Sequence, residues 1–125
     1  MQEHWDGPII LKGIQTVADA KKVVDVGAQA TVVSNHSGHQ SDGGVSSLGV
    51  LPRIVDAVGG DLDVIFDSGV CCGVDIAKAL ALGAKMVLIG RPYIYGLVLG
   101  GKAGVSHVIM SLLGDLELTL HLVGI

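Results

Sequence analysis

Four short apolar runs each end in polar or glycine residues, and segments with helical spacing separate them. The runs and their ends are 9–11 before Lys12-Gly13, 30–33 before Ser34-Asn35-His36, 64–66 before Asp67-Ser68-Gly69, and 86–89 before Gly90-Arg91. Strands that alternate with helices pair in parallel through right-handed crossovers, and their carboxyl ends then lie on one face, where ligands bind. We therefore expect a lysine, a histidine, an aspartate and an arginine to converge on one site.

The segments between the runs predict helices. Thr16 and Asp19 have the spacing of a capping box at a helix start, and Gly27 stands where a glycine would stop that helix. Apolar residues at helical spacing predict the other helices, which are 48–58, 76–80, 105–116 and a short helix or turn after Gly90. This βαβαβαβα order is half of a (β/α)8 barrel, which usually has about 250 residues. Residues 1–125 are thus predicted to be a single partial α/β domain, a parallel half barrel.

A small, open, doubly wound sheet with helices on both faces is the alternative fold. A GxGxxG loop follows none of the runs, which counts against the dinucleotide-binding version of that fold. A half barrel leaves two strand edges and its inner face exposed. We therefore expect a homo-oligomer, or association with other chains through these edges.

Composition argues against several classes of function. The 125 residues carry a net charge of −4 and no basic cluster, so neither a nucleic acid nor an anionic membrane is an expected partner. The uncharged, glycine-rich stretch 92–101 is shorter than the roughly 18–20 residues of a membrane-spanning helix. We expect a cytoplasmic location, with the peroxisome as the open alternative. Cys71 and Cys72 are adjacent and provide neither a disulfide framework nor a zinc site, so no metal is expected.

Lys12 and the polar segment after the second run are the first candidates for chemistry. A lysine at the end of an apolar strand is costly to bury unless it meets an anion or a ligand. The alternative is a side chain that extends into solvent. Histidine titrates near neutral pH, so His36 at a strand end is a candidate general base, with an ordinary loop histidine as the alternative. The loop 36–47 is long and polar, as functional loops often are.

The ends of the third and fourth runs predict a phosphate site. Glycines at 69 and 90 let backbone N–H groups approach an anion, and Arg91 supplies a bidentate donor. Barrel enzymes commonly bind phosphate in the loops after two consecutive strands. The alternative is that these glycines only make turns.

Five motifs then stand in order along the chain. They are Pro8-Ile9-Ile10-Leu11-Lys12-Gly13-Ile14, Ser34-Asn35-His36-Ser37-Gly38-His39-Gln40-Ser41-Asp42-Gly43, Asp67-Ser68-Gly69-Val70, Ala79-Leu80-Ala81-Leu82-Gly83-Ala84-Lys85 and Ile89-Gly90-Arg91-Pro92. Together they closely resemble motifs of the FMN-dependent 2-hydroxy-acid oxidases, the family of glycolate oxidase, lactate oxidase and lactate monooxygenase. Trp5-Asp6-Gly7 and Tyr93-Ile94-Tyr95-Gly96 are most similar to the lactate monooxygenase-like branch. The resemblance implies that the four runs are strands five to eight of a TIM barrel.

The resemblance also implies the chemistry, which is oxidation of a small 2-hydroxy acid to the 2-oxo acid with FMN as cofactor. Lys12 would contact the flavin, and His36 would take a proton from the substrate while two electrons pass to the flavin. The implied cofactor-binding residues are Lys12, Ser34, Asp67, Ser68, Gly69, Val70, Cys71, Gly90 and Arg91. Two positions depart from the family, which has arginines where this chain has His39, near the substrate carboxylate, and Cys71, in the phosphate loop.

Two other functions stay open. Loss of both arginines fits a non-catalytic remnant that binds flavin weakly or only self-associates, because a hydrogen bond to a charged group is typically worth about 1.5–3 kcal/mol. A phosphate-binding barrel enzyme without a flavin is the third interpretation. The joint presence of Lys12 and the Ser34-Asn35-His36 motif argues against it.

Overall fold

A parallel four-stranded sheet organises the fold. The computed structural model describes residues 4–39 and 41–125. Its elements in chain order are β1 (Ile10–Ile14), α1 (Val17–Asp25), β2 (Ala30–Val33), a 3-10 turn (His36–Gly38), α2 (Ser47–Val58), β3 (Asp63–Phe66), α3 (Gly73–Ala81), β4 (Met86–Val87) and α4 (Arg91–Val123). The strands lie in the order β1-β2-β3-β4, and every neighbouring pair is parallel. The predicted alternation of strands and helices is confirmed.

The strand order decides between the two predicted sheets. A doubly wound sheet reverses its strand order at a switch point, which sends helices to both faces. Here the order rises from β1 to β4 without a reversal, so right-handed crossovers place α1, α2 and α3 on one face. This is the arrangement of a (β/α)8 barrel, and the doubly wound alternative is wrong.

The main core fills the space between the sheet and these three helices. Its largest fully buried side chains include Leu51 and Ile54 of α2, Val23 of α1 and Val64 of β3. Full burial of one such side chain contributes about 1.5–3 kcal/mol. The packing of α2 against β3 therefore holds the middle of the sheet in place beneath the strand ends.

The opposite, inner face of the sheet carries a smaller apolar layer. The register pairs Ile10 with Ala30, Val32 with Ile65, and Ile65 with Met86. Ala30, Val32 and Ile65 are buried on this face. On the two edge strands, Ile10 and Met86 are 51% and 56% exposed. The side chains of the inner layer are thus buried on the two central strands and exposed on the two edge strands.

Helix α4 turns back on itself at two glycines. Gly100 and Gly101 leave the helical conformation, and Gly101 has φ 55° and ψ −138°. The two arms on either side then approach closely, since a Cβ atom on Gly104 would lie 1.9 Å from the carbonyl oxygen of Gly96. Glycine is therefore required at this crossing, and α4 is a helical hairpin.

This hairpin corrects two predictions. The predicted short helix after Gly90 and the predicted helix over 105–116 are joined, and both arms are longer than expected. By length and composition alone, α4 is also the one helix in the described ranges that passes for a membrane span, and 11% of its most apolar stretch is buried. The break at Gly100 and Gly101, however, divides it into two arms. The uncharged stretch that was predicted to be too short to span a membrane, 92–101, stops before Lys102. Helix α4 instead continues through Lys102 to Val123.

Candidate active site

The carboxyl ends of β1, β2 and β3 bring three polar side chains into contact. Lys12 of β1 forms an ion pair with Asp67, which directly follows β3. Ser34 directly follows β2, and its buried hydroxyl accepts a hydrogen bond from Lys12 Nζ at 3.0 Å. The same hydroxyl donates to Asp67 Oδ2 at 2.8 Å. The three strand ends are therefore joined by one charged network.

These contacts set the ionisation of Asp67. Burial raises the pKa of the Asp67 carboxyl, but hydrogen bonds from Lys12 and Ser34, together with the positive charge of Lys12, outweigh burial and lower that pKa below its ordinary value. Asp67 is therefore ionised at neutral pH. It holds the ammonium group of Lys12 over the end of the sheet.

Strained backbone lies directly beside this network. In the described ranges, the residues other than glycine with positive φ are His36 (54°), Ser37 (56°) and Ser68 (92°). Such conformations cost of order 1–3 kcal/mol and concentrate at functional sites. The N–H of His36 donates to Ser34 Oγ at 3.1 Å, and the N–H of Ser37 donates to Ser68 Oγ at 3.3 Å. Polar side chains of the network thus hold the strained loop after β2.

Two histidines lie together above the network. The ring centroids of His36 and His39 are 5.4 Å apart, and the rings are inclined by 58°. Both side chains line a cleft of about 270 Å³ whose walls include Lys12, Asp67 and Arg91. Imidazole accepts protons near neutral pH, whereas guanidinium binds anions in a bidentate manner. The cleft therefore combines a potential base with fixed positive charge.

A smaller cavity of about 20 Å³ lies between the loops after β3 and β4. Its walls include Ser68, Gly69, Val70, Cys71, Gly90 and Arg91. In the described part of the chain, the backbone N–H groups of Gly69 and Gly90 have no hydrogen-bond partner, and a Cβ atom at either position would meet open space. Arg91 is the first residue of α4, where the helix N-terminus also favours anions. We call this cavity the anion cradle.

Asp75 occupies two further amides of the cradle loop. Its Oδ2 accepts hydrogen bonds from the N–H groups of Cys71 at 2.9 Å and Cys72 at 3.2 Å. The Cys71 amide makes the largest contribution to a lowered pKa of the Asp75 carboxyl. The N–H groups of Cys71 and Cys72 therefore bind the first turn of α3 and are not available to an anion. Donors for an anion come instead from Gly69, Gly90 and Arg91.

The structure brings most of the predicted site residues to one edge of the sheet. Lys12, Ser34 and Asp67 form the network, His36 and His39 line the cleft, and Ser68, Gly69, Cys71, Gly90 and Arg91 line the cradle. The side chain of Val70 is buried in the main core, so the cradle can use only its backbone. Tyr93 and Ile94 also line the cleft and were not predicted. Their place in the sequence could have indicated them, because they lie in the first turn of α4, the helix that follows β4.

A parallel β/α sheet with cationic and anion-binding groups at the carboxyl ends of its strands is the arrangement in which (β/α)8 barrels bind anionic ligands. The whole chain, residues 1–125, matches the FMN-dependent dehydrogenase family, and it belongs to that family. FMN is the cofactor of the family, as the motifs predicted.

Curated relatives and solved structures agree with this family. The chain is 73% identical over 125 residues to an FMN-dependent alpha-hydroxy acid dehydrogenase of Schizosaccharomyces pombe, covering 100% of this chain and 31% of the relative. It is 53% identical over 117 residues to an L-lactate oxidase of a Nostoc species, covering 94% of this chain and 32% of the relative. Crystalline mandelate oxidase with benzoyl-formic acid superposes with a TM-score of 0.95 at 43% identity, covering 98% of this chain and 37% of that one. The chain thus spans about a third of the length of its relatives.

The chemistry of the donors around the cradle, rather than its volume of about 20 Å³, suits the phosphate of FMN. A phosphate group needs several N–H donors and compensation of its negative charge. The free amides of Gly69 and Gly90 and the guanidinium of Arg91 provide both within one cavity. The ammonium of Lys12 lies in the neighbouring cleft, where it suits an electron-rich ring.

Proposed function

We propose that this chain forms strands five to eight of an FMN-dependent enzyme that oxidises a small 2-hydroxy acid to the 2-oxo acid. The observation that carries the proposal is that His36, Lys12 and Arg91 line one cleft at the carboxyl ends of parallel strands. A base, a fixed cation and an anion-binding group are what such an oxidation requires of the protein. Lactate and mandelate, which occur in the names of relatives, support the substrate class.

The cofactor would be held at two places. Gly69, Gly90 and Arg91 bind its phosphate, and Asp67 and Ser68 bind the ribityl chain. Bound FMN supplies the acceptor for the two electrons of the oxidation.

Lys12 supplies fixed positive charge beside the ring of the flavin. Its ammonium is oriented by the Ser34 hydroxyl at 3.0 Å and by the ion pair with Asp67. Preorganised charge of this kind is often the largest single contribution to catalysis.

His36 accepts the hydroxyl proton of the substrate. The backbone N–H of His36 donates to Ser34 Oγ at 3.1 Å. With a φ of 54°, His36 lies at the turn that follows β2. The carboxylate of Asp67 lines the same cleft. Protonated His39, whose ring centroid lies 5.4 Å from that of His36, binds the substrate carboxylate. Proton removal and carboxylate binding are thus divided between two imidazoles.

A non-catalytic remnant is the second candidate function. The observation in its favour is that His39 and Cys71 stand where the resemblance implies arginine. Cys71 lines the cradle but brings no charge to it. A remnant would keep the fold and the Lys12 network while it binds flavin weakly or only associates with other chains.

Flavin retention distinguishes the two candidates. The purified chain is incubated with FMN, desalted and examined by visible absorbance. Retained flavin with a shifted spectrum supports a cofactor site in these residues alone, and bleaching of that spectrum by lactate or mandelate then tests the reaction. A colourless protein after desalting favours the remnant.

The role of His36 needs a complete barrel. The chain is fused behind the first half of the Schizosaccharomyces pombe relative, and turnover of 2-hydroxy acids is measured for the fusion and for its His36→Ala variant. Loss of a general base typically costs 10²- to 10⁴-fold in rate. His107→Ala, on the second arm of α4, is the matched control. Equal turnover of the fusion and its His36→Ala variant would show that His36 is not the base.

A further inference from the structure

Three consecutive backbone N–H groups after β2 are bound by serine hydroxyls. The N–H of Asn35 donates to Ser47 Oγ at 2.8 Å, and the next two bonds, from His36 and Ser37, belong to the network described above. Ser47 itself lies outside that network, since it is the first residue of α2 and comes twelve residues after Asn35. We propose that Ser47 is a positioning residue, which holds the backbone that leads into His36. The inference rests on the proposed function, in which His36 is the base.

The Ser47 hydroxyl is buried and is bound by two donors. Ser47 is 2% exposed, and its Oγ also accepts a hydrogen bond from Gln15 Nε2 at 3.1 Å. Gln15 directly follows β1, so this one hydroxyl joins the end of β1 to the backbone that follows β2. Without Ser47 Oγ, both donors would lose this acceptor, which is costly for groups that are shielded from water. Ser47 therefore ties together two of the strand ends that carry the site.

The contacts of Ser47 serve the loop after β2 and not the start of its own helix. Ser46 is the N-cap residue of α2, and Ser47 is the first helical residue. An N-cap hydroxyl accepts from an amide two or three residues later in the same helix. The Ser47 hydroxyl instead binds Asn35 and Gln15, which lie 12 and 32 residues away in the chain. Ser47 thus closes the loop that carries both His36 and His39.

The bond to Ser47 acts on His36 through the backbone. The three serine-bound N–H groups fix three successive peptide planes, and the Cα atom of His36 lies between the second and the third. His36 and Ser37 have φ values of 54° and 56°, which such residues keep only where the surrounding structure enforces them. Release of the Asn35 N–H frees the first of the three planes and lets the histidine move. A misplacement of about 1 Å at a reacting group can lower a rate about 100-fold.

Turnover per bound flavin tests the positioning role. In the fusion with the first half of the Schizosaccharomyces pombe relative, Ser47→Ala should lower kcat per bound flavin about 10- to 100-fold, because it displaces the base without removing a donor of the cradle. Ser47→Thr keeps the hydroxyl and should restore most of the rate. Ser46→Ala is the matched control, since this neighbouring serine is exposed and its side chain makes no capping hydrogen bond. A merely structural role would lower the amount of flavin-loaded enzyme and leave turnover per flavin unchanged.

Gln15→Met covers the case in which Ser47→Ala does not fold. This variant keeps an unbranched side chain of similar length but removes the second donor to the Ser47 hydroxyl. We expect a several-fold lower kcat per bound flavin, because the hydroxyl is then oriented from one side only. Turnover per flavin equal to that of the unaltered fusion in Ser47→Ala, or in Gln15→Met where the first variant does not fold, would overturn the positioning role and leave His36 as the base.

Amide hydrogen exchange in the chain itself separates this inference from the proposed function. Without FMN, Ser47→Ala should speed exchange of the Asn35 N–H by up to about ten-fold, whereas Ser46→Ala should not change it. Unchanged exchange in Ser47→Ala would mean that the hydrogen bond does not hold the loop, and would overturn the inference even if the fusion is active. Faster exchange together with a fusion that turns over no 2-hydroxy acid would overturn the proposed function and the role in proton transfer, while the loop contact stands.

Discussion

Asp115, on the second arm of α4, accepts a hydrogen bond through Oδ2 from the backbone N–H of Gly73, the first residue of α3, at 2.6 Å. A carboxylate at a helix N-terminus interacts favourably with the helix dipole. The approach is close, since a Cβ atom on Gly73 would lie 2.1 Å from the backbone nitrogen of Leu116. The contact fixes α4 against the helix that follows the cradle loop.

Replacement of Asp115 should therefore weaken the fold. Asp115→Ala leaves the Gly73 amide without its charged acceptor, and we expect the free energy of unfolding to fall by about 1.5–3 kcal/mol. Denaturant unfolding followed by circular dichroism measures this loss. Glu117→Ala, at an exposed position of the same arm, is the control and should change stability by less than about 0.5 kcal/mol. Equal stability of both variants would mean that the Asp115 contact contributes nothing.

The crossing of the two arms of α4 gives a second stability prediction. Gly104→Ala places a methyl group against the Gly96 carbonyl and should cost about 1–3 kcal/mol through overpacking. Gly114→Ala, in the same arm with open space around it, should stabilise the protein by about 0.5–1 kcal/mol. Thermal unfolding of both variants measures the difference. If the two changes have the same sign, the close crossing does not exist.

Acid should remove the contribution of the Lys12–Asp67 ion pair. The pKa of Asp67 is lowered in the folded protein from an ordinary value of 3.8, so the folded state favours the ionised form. The resulting stability is fully present above about pH 4 and is lost as the pH falls below 3.8 through the folded pKa. Melting temperatures of the unaltered chain and Asp67→Asn, compared between pH 2.5 and 7, should therefore differ most at neutral pH and converge in acid. A gap that is independent of pH would contradict the lowered pKa.

The charge of the cradle gives a prediction about cofactor affinity. Cys71→Arg should return a bidentate cation to the phosphate loop, and a charged hydrogen bond of about 1.5–3 kcal/mol corresponds to roughly 10- to 150-fold tighter FMN binding. Quenching of flavin fluorescence measures the dissociation constant. Val45→Arg adds the same charge at an exposed position outside the cradle and should have little effect. Unchanged affinity in Cys71→Arg would show that phosphate does not bind next to residue 71.

Much of the sheet could be predicted because its strands are buried and therefore appear as continuous apolar runs. β2 was predicted with its observed bounds, and β3 begins one residue earlier than predicted. β1 was harder, since it continues past Lys12 and Gly13 to Ile14 across a register shift. A lysine normally ends an apolar strand. Here its side chain faces the open end of the inner layer, where its ammonium group forms an ion pair with Asp67.

The location of the site was also predictable, because parallel strands bring their carboxyl ends together. The conformation of its loops was not. His36, Ser37 and Ser68 adopt positive φ values that residues with side chains rarely accept, and nothing in their types indicates it. The Ser34 hydroxyl that supports these turns lies two residues before His36. The Ser68 hydroxyl comes from the next β/α unit, 31 residues after Ser37. The hairpin of α4 was missed for a similar reason, since the contact of Gly96 with Gly104 is tertiary.

The unreversed strand order has a consequence for how this fold tolerates rearrangement. The main contacts between elements join parts of one β/α unit or of two units adjacent in the chain. Exchange of one unit therefore disturbs its immediate neighbours and leaves the remaining packing intact. Recombination of genes at the boundaries between units is therefore expected to preserve most of the packing of this fold.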